Sequence, residues 1–292
     1  AVIVGFTPLF SLISDNFETE KRGKINAVLI FSLGLGAVCS IGIGYRLWDI
    51  NYYLFFYTVA GIIFVSSAAS FFFIKENPFP KDLLNYKSHS LIAYFKWVLT
   101  NKPIILYYAG DFFRWFSLSL IVQMVTLFAV NELGVTIGVA GQTVLALNLV
   151  KLFSSIPVGM ATDKIDRKRF LLAGIILSGG ALYYAWSVYS FVPLLVAMCL
   201  IGIAASITVI CGSSLLMDMF PKGRGGEFIG MNMVFGCIPT VLSLWISGAL
   251  IDMLGSYRVI FLVAIIATII SFIITAFIPT QTVKRKKLSV QI

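Results

Sequence analysis

The chain of 292 residues is poor in charge: Asp, Glu, Lys and Arg make up 12% of it, where a soluble domain carries about 25%. It has one histidine, His89, and four cysteines, Cys39, Cys199, Cys211 and Cys237. No His, Cys or carboxylate grouping has metal-ligand spacing, so neither a metal site nor any other cofactor is expected. There is no H-E-x-x-H and no Walker A phosphate loop. These absences remove the usual equipment of an enzyme, and they leave an ion or solute gradient rather than ATP hydrolysis by the chain itself as the energy source. His89 reads as a solvated loop residue, and the cysteines as apolar packing within spans.

What is abundant is hydrophobic sequence, 59% of residues, with a mean hydropathy of +0.95. About 18 apolar residues cross a hydrocarbon core of about 30 Å. Eight such runs occur, at roughly 25–45, 52–74, 104–130, 138–161, 170–188, 191–217, 227–250 and 258–279. A ninth, 1–14, reads as the end of a span whose beginning lies upstream. The chain opens on Ala1 with no charged region before the apolar run, so a signal peptide is not expected and a missing N-terminal portion is. The fold class is therefore an all-α polytopic membrane protein with about nine membrane segments.

The net charge of +9 is distributed unevenly. Of the 22 Lys and Arg, 18 fall in alternate connections: Lys21, Arg22 and Lys24; five lysines in 75–103; Lys164, Arg167, Lys168 and Arg169; Lys222 and Arg224; and four at 284–287. The opposite loops hold Arg46 and Arg258 alone. That asymmetry makes the basic side cytoplasmic, with a multi-pass topology in the plasma membrane. It is a topology signal and a headgroup contact, and no nucleic acid is implied. Within 75–103, Pro78 and Pro80 stop the preceding helix, and Leu91, Ile92, Phe95, Val98 and Leu99 then recur at helical spacing. A short interfacial amphipathic helix is predicted there.

One sentence is written twice. SLISDNFETEKRG, 11–23, is matched by SLLMDMFPKGRG, 214–225. Asp15 pairs with Asp218, Phe17 with Phe220, and Arg22-Gly23 with Arg224-Gly225. The likeness continues from Trp48-Asp49 into Phe55-Phe56, as from Ile251-Asp252 and Tyr257-Arg258 into Phe261. Each copy is a loop, span, loop, span unit of one orientation. Parallel repeats of this kind are a transporter architecture, although a duplicated scaffold need not transport.

Between two later spans stands GMATDKIDRKRF, 159–170. It resembles the cytoplasmic loop motif of the major facilitator superfamily (MFS), G-x-x-x-D-[RK]-x-G-[RK]-[RK], through Gly159, Asp163, Lys164, Arg167 and Lys168. Asp166 replaces the family's usual glycine, which predicts a stiffer or differently shaped turn. Gly159 permits close helix packing, and Asp163 is suited to accept hydrogen bonds at a neighbouring helix N-terminus. The resemblance implies an MFS-type helical bundle of twelve spans in two pseudo-symmetric halves, of which about nine are present. Residues 1–74 would end the first half, 75–103 would link the halves, 104–279 would be the complete second half, and 280–292 a basic cytoplasmic tail. It also implies alternating access, with Asp163 and the Arg-Gly turns at a cytoplasmic gate.

Three ionisable residues lie inside apolar runs: Asp111, Arg114 and Lys151. Each costs about 2.5–3.5 kcal/mol at a helix centre on insertion scales, so an interior-facing position is expected. Asp111 and Arg114 stand at i and i+3, within pairing reach. At a rise of about 1.5 Å per residue, Arg114 sits roughly 15 Å from the helix start. Asn148, Lys151 and Ser155 form a polar stripe on the next span. Two readings stand side by side: these residues line a central substrate cavity, or Asp111 and Arg114 neutralise one another while Lys151 snorkels. The trio's formal +1 favours an organic anion or other small metabolite, or a carboxylate coupled to protons. The function expected is secondary transport of a small solute by a monomer. A receptor or scaffold that does not translocate, and a drug-efflux member of the same superfamily, are the alternatives.

Overall fold

The computed structural model describes residues 51–73, 100–219 and 225–279, together with single helical positions between 25 and 38. All its regular structure is helical. In chain order the helices are α1 Tyr52–Phe73, α2 Lys102–Leu133, α3 Ile137–Thr162, α4 Arg167–Ser187, α5 Phe191–Asp218, α6 Gly225–Leu254 and α7 Val259–Ala276. Six of them, α2 to α7, contain stretches long and apolar enough to cross a membrane. The repeated turn at 11–23, Asp15, Arg22 and Gly23 within it, lies outside the described residues. So do Arg224, Cys39, His89, the amphipathic segment of the linker and the basic tail.

Local signals account for where the helices stop. Pro103 fits the first turn of α2, where its missing N–H has no partner to lose. Gly134 then ends α2 at φ 68°, a left-handed conformation that costs glycine nothing. Asn51 caps α1, its side-chain oxygen accepting from the Tyr53 amide at 2.9 Å. The helix α6 runs through Pro239 and α3 through Pro157, so the break in hydrogen bonding at Pro239 is absorbed inside a continuous helix.

The helices pack as neighbours α3 with α5, α4 with α5, α7 with α2, α2 with α6 and α7 with α4. Small residues allow the close approaches. A Cβ on Gly202 of α5 would stand 2.6 Å from the Leu147 carbonyl of α3, and one on Gly174 of α4 would stand 2.6 Å from Ile207. Short hydroxyl side chains then join the backbones that have come together. Ser206 donates to the Lys151 carbonyl at 2.7 Å, Ser117 to that of Ala264 at 3.0 Å, and Ser271 to that of Gly110 at 2.8 Å. In hydrocarbon such bonds and van der Waals contact replace a hydrophobic drive between helices. Outward positions such as Phe153, Trp245 and Met253 remain exposed. Cys237 is exposed as well, unlike the buried Cys211, so apolar packing does not describe both.

The two ends of the bundle differ chemically. At one end Glu132 accepts from the Ser256 hydroxyl and the Tyr257 amide, at 2.7 and 2.9 Å, and pairs with Arg258 at 3.5 Å. Arg258 also donates to the carbonyls of Trp186 and Val188, at 2.8 and 3.0 Å, and lies 4.1 Å from the Tyr189 ring centre. The other end carries Lys164, Arg167, Lys168 and Arg169 in the turn between α3 and α4, with the close of α7 beside it, where Lys168 donates to the Ala276 and Ile278 carbonyls at 2.8 and 2.5 Å.

Candidate functional site

Between these ends a cavity of about 110 Å³ opens among α2, α4, α5, α6 and α7. Its charged wall is one turn of α2. Asp111 and Arg114 are neighbours on that helix face and form an ion pair and hydrogen bond, with side chains 5% and 10% exposed. The Arg114 guanidinium lies 5.5 Å from the Tyr107 ring centre. Gly212 of α5 makes room for it, because a Cβ there would meet the Arg114 Nη2 atom at 2.9 Å. Burying a charge is costly unless it is paired, and this pair is both close and local.

Among the described residues, the rest of the wall is uncharged. Trp115, Asn232, Ser178 and Thr208 border the cavity together with aliphatic and methionine side chains. None of these four was marked in advance by a motif; Asn232, a lone amide inside an apolar run, was the one available signal. One oxygen of Asp111, Oδ2, and the side-chain oxygen of Asn232 are buried and accept no hydrogen bond among the described residues.

The polar stripe of α3 is placed elsewhere. Among the described residues, no side chain of α3 borders the cavity. Asn148 donates to the Val144 carbonyl at 2.9 Å and the buried Ser155 to that of Leu152 at 2.7 Å, both within α3. Lys151 is partly buried, and its ammonium meets no hydrogen-bond acceptor among the described residues. Its neighbour Leu152 would stand 3.1 Å from a Cβ on Gly34, so α3 faces the helical stretch that contains Gly34. Asp111 and Arg114 are thus brought to one site, and among the described residues Asn148, Lys151 and Ser155 do not border it.

The loop motif folds into a compact network at the basic end. Arg167 forms an ion pair and hydrogen bond with Asp218 at the close of α5, lies 3.8 Å from Asp163, and reaches the Ser214 carbonyl at 3.5 Å. The aspartate of SLLMDMF is therefore tied directly to the start of α4. Gly159 is buried and Lys164 exposed. Asp163 accepts no hydrogen bond among the described residues. Asp166, in place of the motif's glycine, caps α4 by accepting from the Arg169 amide at 2.9 Å. Its φ of −58° needs no glycine. Gly225 opens α6.

A bundle of apolar helices around a partly polar internal cavity, with ion-paired turns at its ends, defines an integral membrane protein of the transporter type. The model of the Major Facilitator Superfamily matches residues 107–291, and the chain belongs to that superfamily, whose members are transporters. Among solved structures, the chain is similar to an E. coli fucose:proton symporter, with a TM-score of 0.77 at 14% identity, over 94% of this chain and 73% of the other. It is also similar to a bacterial homologue of the iron transporter ferroportin in an outward-facing state, with a TM-score of 0.67 at 14% identity, over 91% and 67% of the two chains. At such identities the likeness is one of fold. The comparison with curated proteins gives no match.

Proposed function

We propose that the protein is a secondary active transporter that moves a small solute across the membrane by alternating access. The observation that carries this is the cavity of the superfamily bundle, walled by the Asp111–Arg114 pair between two structurally distinct ends. On this reading 104–279 is a complete six-helix half, 1–74 is the remainder of its pseudo-symmetric partner, and 75–103 joins them. The fold similarity extending over 94% of the chain favours that division. The basic end faces the cytoplasm, where Asp163, Arg167 and Asp218, with the Arg224-Gly225 turn, belong to the gate. A monomer in the plasma membrane completes the reading.

The charge balance bears on the solute. A trio of net +1 favours an organic anion, but among the described residues the charged groups bordering the cavity are the balanced Asp111–Arg114 pair. The charge argument for an anion therefore does not carry over to this cavity. Asp111 remains the carboxylate on which coupling to a proton would act. Counterflow of labelled solute in proteoliposomes tests transport itself: exchange is expected, whereas a receptor would bind without exchanging. An inward proton gradient is expected to drive accumulation in the wild type and to have no effect on Asp111→Asn.

A further inference from the structure

We infer that the cavity takes a neutral, hydroxyl-rich solute, one that donates hydrogen bonds to acceptors the protein leaves open. The inference rests on the transport reading above and specifies its substrate class. Three acceptors carry it. Asp111 and Asn232 border the cavity, and the Oδ2 atom of the first and the side-chain oxygen of the second are buried and accept no hydrogen bond among the described residues. Thr208, on the same wall, spends its hydroxyl proton on the Ala205 carbonyl at 3.2 Å, which leaves its oxygen able to act only as an acceptor. A buried acceptor without a partner costs about 1–3 kcal/mol. A ligand bringing O–H groups to these atoms recovers that cost.

Charge narrows the class further. A carboxylate solute would gain from Arg114 but would sit against Asp111 and against oxygens that offer it no proton. An ammonium solute would gain from Asp111 but would meet the Arg114 guanidinium paired to it. Opposing terms of similar size cancel for either ion, while a neutral donor meets neither repulsion. Size agrees. At about 10–15 Å³ of accessible volume per water, 110 Å³ accommodates several waters, the bulk of a five- or six-carbon polyol. Trp115 and Tyr107 border the same space and offer apolar ring surface to the C–H side of such a molecule.

Binding of tritiated sorbitol to the purified full chain in detergent, with competition by unlabelled compounds, tests this. A direct binding assay is needed because polyols also stabilise proteins by exclusion from their surfaces. Saturable binding displaced by sorbitol, glucose or glycerol, and not by lactate or ethanolamine, is expected. Asn232→Ala is expected to weaken it about tenfold. Asp111→Asn, which leaves Arg114 unbalanced, should make lactate a competitor. Absence of saturable binding overturns the inference, as do displacement by lactate in the wild type and wild-type binding by Asn232→Ala. Counterflow separates the two claims: binding without exchange removes the transport reading and leaves the ligand class, and lactate exchange without polyol binding does the reverse.

Discussion

At the residue scale, the informative positions are those where a side chain departs from its surroundings. Asp166 departs from the family's loop pattern, and the fold gives the reason: it is the N-cap of α4. Replacing an N-cap Asp by Ala costs about 1 kcal/mol, and by Gly only a few tenths. Asp166→Ala should therefore lower the unfolding temperature measurably, while Asp166→Gly, which restores the family residue, should stay near wild type. Asp111 and Arg114 were conspicuous from sequence because charge in an apolar run is expensive, and their i, i+3 spacing already implied the pair. Lys151 was equally conspicuous, yet its place could not be read. Spacing along one helix gives a face, and only packing decides what that face meets. Asn232 and Thr208 were hidden for the opposite reason, since a single amide or hydroxyl in a span is also ordinary glue between helices.

At the scale of elements, sequence and structure agree closely for the described spans. The run 138–161 becomes Ile137–Thr162 and 191–217 becomes Phe191–Asp218. Hydropathy sets a span's length because the bilayer does, and helix is the form in which a single segment can satisfy its backbone there. The remaining differences lie at the helix ends, as where α2 continues from 130 to Leu133 and stops at Gly134, and where the run 258–279 becomes the shorter Val259–Ala276. Which helices touch was not legible, because it depends on where small residues coincide across two helices. Gly202 is such a position. Alanine is better than glycine in a helix by about 1 kcal/mol, which alone would make Gly202→Ala stabilising. A Cβ 2.6 Å from the Leu147 backbone carbonyl cannot be relieved by a side-chain rotation, however. Overpacking costs about 1–3 kcal/mol, so the substitution should destabilise the purified protein in thermal unfolding. Gly180, with open space around its would-be Cβ, is the control that should tolerate alanine.

For the whole molecule, the two ends are held by charge networks of similar design and different reach. Glu132 and Arg258 gather the α2 end, the α4–α5 turn and the α6–α7 turn across more than a hundred residues of sequence. No local pattern announces such a contact. At the basic end Arg167 sits between two carboxylates, Asp163 and Asp218, and joins the α3–α4 turn to α5. Both networks lie within the family-matched region, so each first makes that region move as one body; any gate adds contacts from outside it. Removing Arg167 takes away the cation that lies between two partly buried carboxylates. Breaking a buried pair in this one-sided way costs about 3–5 kcal/mol, and partial exposure of these side chains should reduce the figure to about half. Arg167→Ala is therefore expected to lower the unfolding temperature markedly. Asp218→Asn in the same background should recover part of the loss by removing the repulsion. If the network only stabilises, counterflow measured below the unfolding transition will survive in both variants in proportion to folded protein. A gate role requires more: exchange must fall in Arg167→Ala while saturable binding at the cavity persists, because Arg167 is not among the residues that line it.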